Sequence, residues 1–293
     1  MSPANLTRRR FGLLTLSALA GASCAHPPRR ETAGAGRTLD LRIGEGFGDA
    51  NAENISAVLR SAGEEIWKHC PNTRWEVPGF FIFHSNDSPI TLFDHRSDGR
   101  VAIGLNVKGS YWAQFAYQFA HEFCHALSGH TNDWRQTWIK ERKANHWLEE
   151  SLCEAASIFA IRAMGKSWKT APPYPNWKSY AESLAKYADD FTGKVAAEKG
   201  VGFLFENWFR ENEAALRKNP TLRDKNRIIA VELLPLFEAS PAGWESIVFY
   251  NRCENRDAGK TLARHFADWS AAAPPTQREF IKKIATVFDV RSA

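Results

Sequence analysis

The chain has 293 residues, 44% of them hydrophobic and 24% charged, with a formal net charge of +5. Arg8, Arg9, Arg10, Arg29, Arg30 and Arg37 face only Glu31 in the first 37 residues, so residues 38–293 balance to zero. The charge is therefore no footprint for a nucleic-acid partner, and the neutral remainder is long enough to bury a full core as one large domain or two lobes.

Residues 1–24 read as a targeting segment: the basic run Arg8-Arg9-Arg10, then an apolar stretch from Phe11 to Ala20 that is too short to span a bilayer. Thr7-Arg8-Arg9-Arg10-Phe11-Gly12-Leu13 resembles the twin-arginine signal, which implies export to a bacterial periplasm. Gly21-Ala22-Ser23-Cys24 resembles a lipoprotein box, with Gly21 where Leu is expected. Two fates stay open here: a membrane tether through lipidated Cys24, or cleavage after Ala22 or Ala25. Residues 25–38 form a Pro/Arg/Gly-rich linker, and the folded domain is expected over 39–293. Nothing in the pattern fixes an oligomeric state.

Ile55, Val58, Leu59, Ala62, Ile66 and Trp67 recur at helical spacing and predict a helix over Ala52–His69. Strand-like runs follow at Thr73–Val77, Gly79–His84, Ile90–Phe93 and Val101–Val107, separated by Pro, Asn/Asp and Gly. A helix is expected from Trp112 to Ser128 with Gly129 as its stop, and another after Asn145 as N-cap, running to Met164 with Gly165 as its stop. Beyond it, Trp177–Ala197, Gly202–Lys218, Asp224–Ala239, Gly243–Asn251, Ala258–Ala272 and Gln277–Phe288 read as helices, the third kinked or broken at Pro235.

The chemistry sits in the first of the two central helices, as His121-Glu122-Phe123-Cys124-His125. Positions four apart share a helix face, so His121 and His125 can offer two imidazoles to one Zn2+ ion. Glu122 projects beside them, where a carboxylate can take a proton from a metal-bound water. A catalytic zinc site takes three protein ligands and keeps one position for water. The next helix offers Glu150 and Glu154, four apart and on one face, with Glu150 as the ligand and Glu154 orienting a zinc histidine from behind. The metzincin pattern does not fit, because Ser128 and Thr131 stand where it needs Gly and His.

His-Glu-x-x-His followed by Trp147-Leu148-Glu149-Glu150-Ser151-Leu152-Cys153-Glu154 resembles the gluzincin branch of zinc metallopeptidases, the thermolysin-like and aminopeptidase N-like enzymes. The resemblance covers about residues 101–160. It implies an α+β, zincin-like fold of two lobes: a small mixed-sheet lobe with the active-site helix over 39–130, then a mostly helical lobe over 131–293. It also implies one zinc held by His121, His125 and Glu150, with Glu122 as general base in the hydrolysis of a peptide or protein substrate. By the same analogy Ile103–Asn106 is the sheet edge on which substrate backbone lies, unless it is an ordinary strand. The 24 residues between His125 and Glu150 exceed the about eighteen or nineteen usual in that family, and the excess falls in the connection 131–144.

Tyr174, Tyr187, Tyr250 and His146 are all candidates for stabilising an oxyanion. Cys124 and Cys153, one in each motif, either bridge the two helices or sit there as small buried thiols, while Cys70 and Cys253 offer a second pairing. Trp134, Trp138 and Trp147 either wall a cleft or pack in the core. Two other functions share these residues: an exported binding or assembly protein with a structural or vestigial metal, and a zinc hydrolase acting on cell-wall peptides.

Overall fold

A computed structural model describes residues 38–73, 79–92, 96–129, 145–252 and 259–290. The targeting segment, Cys24, the linker, Cys253, His130, Trp134 and Trp138 lie outside these residues.

Four strands form one mixed sheet: β1 Leu41–Ile43, β2 Phe80–His84, β3 Ile90–Leu92 and β4 Val101–Leu105. Their order is β1-β2-β4-β3. β1, β2 and β4 are parallel, and β3 runs antiparallel to β4. β4 is buried along its whole length and reads as the near-continuous apolar run of a strand covered on both faces. It is paired on both sides, through Ile82↔Ile103 and Thr91↔Ile103. The expected substrate edge at Ile103–Asn106 is therefore not an edge over Ile103–Gly104; among the described residues, the sheet edge beside the helix that carries the histidines is β3. β1 escapes sequence reading because three residues cannot establish an alternation. Of the expected strand Thr73–Val77, only Thr73 is described, and it lies in a turn with its hydroxyl 3.4 Å from Glu245 Oε1.

α1 spans Ala52–Trp67, and Asn51 caps it by accepting the amides of Glu53 and Asn54. α2, Trp112–Gly129, is buried nearly all round. Phe119 and Phe123 stand one turn apart on its sheet side, where Phe123 meets Phe80 and Trp67 at ring separations of 5.6 and 6.4 Å. With this face committed to the core, the face carrying His121 and His125 is turned elsewhere. Within α2 the Gln118 side chain accepts the Asn106 amide at 2.9 Å, which ties the helix to the end of β4.

α3, His146–Ser167, crosses α2. The helix starts where expected, after Asn145 as N-cap, but it runs past Gly165 to Ser167. Asn145 has left-handed φ (55°) and makes no cap bond; its amide group donates to the Lys260 carbonyl instead. Gly165 does not stop the helix. A Cβ there would stand 3.1 Å from Ala185 N and 3.3 Å from Ala181 O, so the glycine permits a close helix approach. The approaching helix is α4, Tyr180–Lys199, followed by α5 Phe205–Lys218 and α6 Arg223–Ala239, which runs unbroken through Pro235. A 3-10 stretch, Pro241–Arg252, replaces the expected helix Gly243–Asn251, and α7 Leu262–Ala272 and α8 Pro275–Val287 close the chain. The class is α+β, mostly helical with one small sheet.

His265 on α7 is fully buried against Tyr250, and neither ring nitrogen has a hydrogen-bond partner among the described residues. Burial, with Lys260 adding to it, pushes its pKa down to about 3. Above pH 6.5 the ring is neutral in both folded and unfolded chains. As pH falls toward 3 the unfolded chain binds a proton that the folded one refuses, so stability is lost at up to about 1.4 kcal/mol per pH unit. His265→Leu is expected to remove that share of the slope in urea unfolding measured from pH 7 to pH 4. An unchanged slope would show that His265 is not the group responsible.

Candidate metal centre

The side chains that carry the chemistry come from two helices. His121, Glu122 and His125 project from α2; His146, Glu149, Glu150 and Glu154 project from the first three turns of α3. All seven line one cleft of about 800 Å³, which β3 borders with Pro89, Ile90 and Thr91.

Glu150 reaches both histidines. Its Oε2 lies 3.5 Å from His121 Nε2 and its Oε1 lies 3.5 Å from His125 Nε2. Two ligands at zinc-like distances from a tetrahedral ion stand about 3.4 Å apart, so both separations match one shared ion. The rings agree: two imidazoles bound through Nε2 place their centroids about 5.2 Å apart, and those of His121 and His125 are 5.0 Å apart. The donor set and the open cleft fit zinc.

His146 also approaches, with Nε2 3.3 Å from Glu150 Oε1. Its ring centroid is nevertheless 6.5 Å from that of His125, well outside the 5.0 Å of the His121–His125 pair. His146 thus supports Glu150 and faces the cleft without joining the two histidines as a third imidazole ligand. Cys153 is the rival donor, since its sulfur and a nitrogen of each of His121 and His125 lie within 4.8 Å of one another. It is fully buried, and burial, with Cys124 beside it, pushes its thiol well above the ordinary range. Glu150, on the cleft wall, places one oxygen 3.5 Å from Nε2 of each histidine. Both cysteines are free buried thiols, so the bridge between the helices is not formed.

The electrostatics converge on the same point. Burial favours a neutral Glu150, but His125, His121 and His146 outweigh it and hold the carboxyl well below the usual carboxylate range. Burial likewise works to lower the His125 pKa, and Glu150 and Glu149 overcome it, holding the ring well above the usual histidine range. An ionised carboxylate thus draws positive charge to the place where three donors meet.

The residue behind His125 is Glu149, not Glu154, and His121 Nδ1 has no hydrogen-bond partner among the described residues. Glu149 Oε1 is 3.0 Å from His125 Nδ1 and accepts from Ser128 Oγ at 2.9 Å, and Asn251 in turn donates to that hydroxyl oxygen at 3.0 Å. A carboxylate on Nδ1 fixes the tautomer and aims Nε2 at the metal position. Glu154 accepts from the Tyr117 hydroxyl and pairs with Arg223, whose Nε is 3.4 Å from Glu154 Oε1. Its sequence signal, one turn beyond Glu150, predicted the correct face but not the partner. Glu149 lay next to the ligand without a spacing to mark it.

Glu122 is buried, and its Oε2 accepts from the Thr91 hydroxyl at 2.8 Å. Thr91 is the inward residue of β3; no pattern in the sequence links it to Glu122. Of the oxyanion candidates, His146 lines the cleft, whereas Tyr250 hydrogen-bonds the Asn145 carbonyl, Tyr174 packs on Trp177 and Tyr187 on Tyr117. Trp147 is a core residue, set against Phe209 and Phe288.

Compared with family models, curated proteins and solved structures, the chain finds no match in any of the three.

Proposed function

We propose that the chain is an exported zinc metallopeptidase of the gluzincin kind, with a zincin-like arrangement of a sheet lobe and a helical lobe around the α2–α3 pair. The spacing of His121, His125 and Glu150 around one point is the observation that carries this reading. Zinc held by His121, His125 and Glu150 would supply Lewis-acid chemistry at this point.

The remaining work falls to this chain's own residues. Glu122, with Oε2 held by Thr91, keeps Oε1 to receive a proton from the attacking water. The water oxygen bonds to the acyl carbon, the C–N bond breaks, and Glu122 passes the proton to the departing amine. His146, the oxyanion candidate that lines the cleft, has its Nε2 on Glu150 and supports that ligand. The free edge of β3 gives an extended peptide a backbone to pair with next to Glu122, by strand addition. The twin-arginine-like leader supports export to the periplasm, and Cys24 offers a membrane tether.

Cys153 supports a second reading. With Cys153 added to His121, His125 and Glu150 the set would be closed at four protein ligands, as in a structural site, and the chain would be a binding or assembly protein. The test is to measure zinc content and cleavage of an internally quenched extended peptide, before and after chelation. We expect about one zinc per chain, cleavage lost on chelation, and recovery when zinc is returned. Zinc without cleavage of that peptide or of cell-wall peptides supports the closed site, and cleavage of wall peptides alone moves the substrate to the cell wall. A folded protein that takes up no zinc overturns the proposal.

A further inference from the structure

One charged group in the cleft is unused by this chemistry. Arg223, the first residue of α6, lines the same opening as the metal donors. Its Nε stands 3.4 Å from Glu154, a carboxylate only 3% exposed, while the arginine side chain itself is 56% exposed. Glu154 is further held by the Tyr117 hydroxyl. The buried acid is therefore an anchor, and the guanidinium extends from it into the cleft. A guanidinium carries its donors in a planar fork suited to carboxylate oxygens, and the Nε contact leaves both terminal nitrogens for a ligand.

Charge makes the placement selective. Apart from the histidines, the other titratable side chains that line the cleft are the acids Asp87, Glu122, Glu149, Glu150 and Glu154 and the phenol of Tyr117, so Arg223 is the one arginine or lysine among the described lining residues. An anionic ligand would be repelled along most of this wall and accepted at two places, the metal position and Arg223. Their separation follows from the helices. Tyr117 precedes His121 by four residues on α2, and Glu154 follows Glu150 by four on α3, which sets the Arg223 anchor about 6 Å from the metal level. Consecutive residues of a peptide are about 3.8 Å apart. A carboxylate one or two residues from the cleaved bond therefore comes within reach of the guanidinium.

We propose that Arg223 is a specificity-determining residue that selects substrates carrying a free carboxylate one or two residues from the cleaved bond. This rests on the peptidase reading of the site, and it narrows the substrate class to acidic or carboxy-terminal peptide segments.

The test uses the full zinc-loaded protein and peptides in matched pairs: a free C-terminal acid against its amide, and an internal Glu against Gln with the C-terminus amidated in both. Wild type is expected to favour one acid over its neutral twin by about 10-fold or more in kcat/KM. Arg223→Met should erase the preference through KM, and Arg223→Lys should keep part of it. The pair that shows the preference identifies the terminal or the side-chain carboxylate as the source. Equal cleavage within both pairs by wild type overturns the proposal, as does a preference that survives Arg223→Met.

Binding provides a readout independent of turnover. Glutarate should bind the zinc-loaded protein about 10-fold more tightly than its mono-amide, by calorimetry, and Arg223→Met should remove the difference. If no peptide is cleaved but glutarate keeps this Arg223-dependent advantage, the peptidase reading fails and the carboxylate site stands. If peptides are cleaved and glutarate shows no advantage, the carboxylate site fails alone.

Discussion

Glu150→Ala is expected to leave a folded chain that no longer retains zinc after dialysis, where the wild type keeps about one ion. The carboxylate supplies the only oxygens facing both imidazole Nε2 atoms among the described residues, each 3.5 Å away. Its removal leaves two nitrogen donors and deprives His146 of its partner. Loss of a supporting residue behind a ligand costs about 10- to 100-fold in metal affinity, so loss of the ligand itself should exceed about 100-fold. Glu149→Gln, which weakens only the support of His125 Nδ1, should fall in the smaller range. The two thiols provide the control. Zinc retained by Glu150→Ala and lost by Cys153→Ala would transfer the third-ligand role to sulfur.

Glu122→Gln is expected to separate the metal from the chemistry. The Thr91 hydroxyl can donate to an amide oxygen as it does to the carboxylate, and Glu122 is not one of the three donors grouped around the metal position. The variant should therefore fold and hold zinc like the wild type. It should hydrolyse peptide about 10²- to 10⁴-fold more slowly, the usual contribution of a positioned general base. Activity within a few-fold of wild type, at equal zinc content, would remove Glu122 from that role.

What the sequence disclosed was whatever repeats at a fixed spacing. His121 and His125 at four residues apart had to share a face of α2, and Glu150 could be placed at the start of the next helix by the resemblance around it. The partners across the helix crossing were not legible. Whether Glu149 or Glu154 meets a histidine depends on how α3 is rotated against α2, which is settled by packing distributed over many apolar residues. Sheet order was hidden for a similar reason. Val101–Leu105 and Ile90–Leu92 both read as strands, but nothing local says that β4 is enclosed and β3 is the edge. Gly165 shows the limit of punctuation: a glycine near a helix end reads as a stop, and here it admits a neighbouring backbone.

The donors of the metal position belong to two helices that are themselves the middle of the core, and no described donor sits on a loop. A ligand-carrying loop can swing away and release its ion while the rest of the protein stays folded. Here α2 is fixed against the sheet through Phe119 and Phe123, and α3 is pressed against α4 at Gly165. Spreading His121 and His125 away from Glu150 through the backbone would mean separating those layers. An ion bound between them would act as a rivet through the whole domain: its binding energy would count toward global stability, and its escape would have to proceed by side-chain rotation into the cleft or else await complete unfolding.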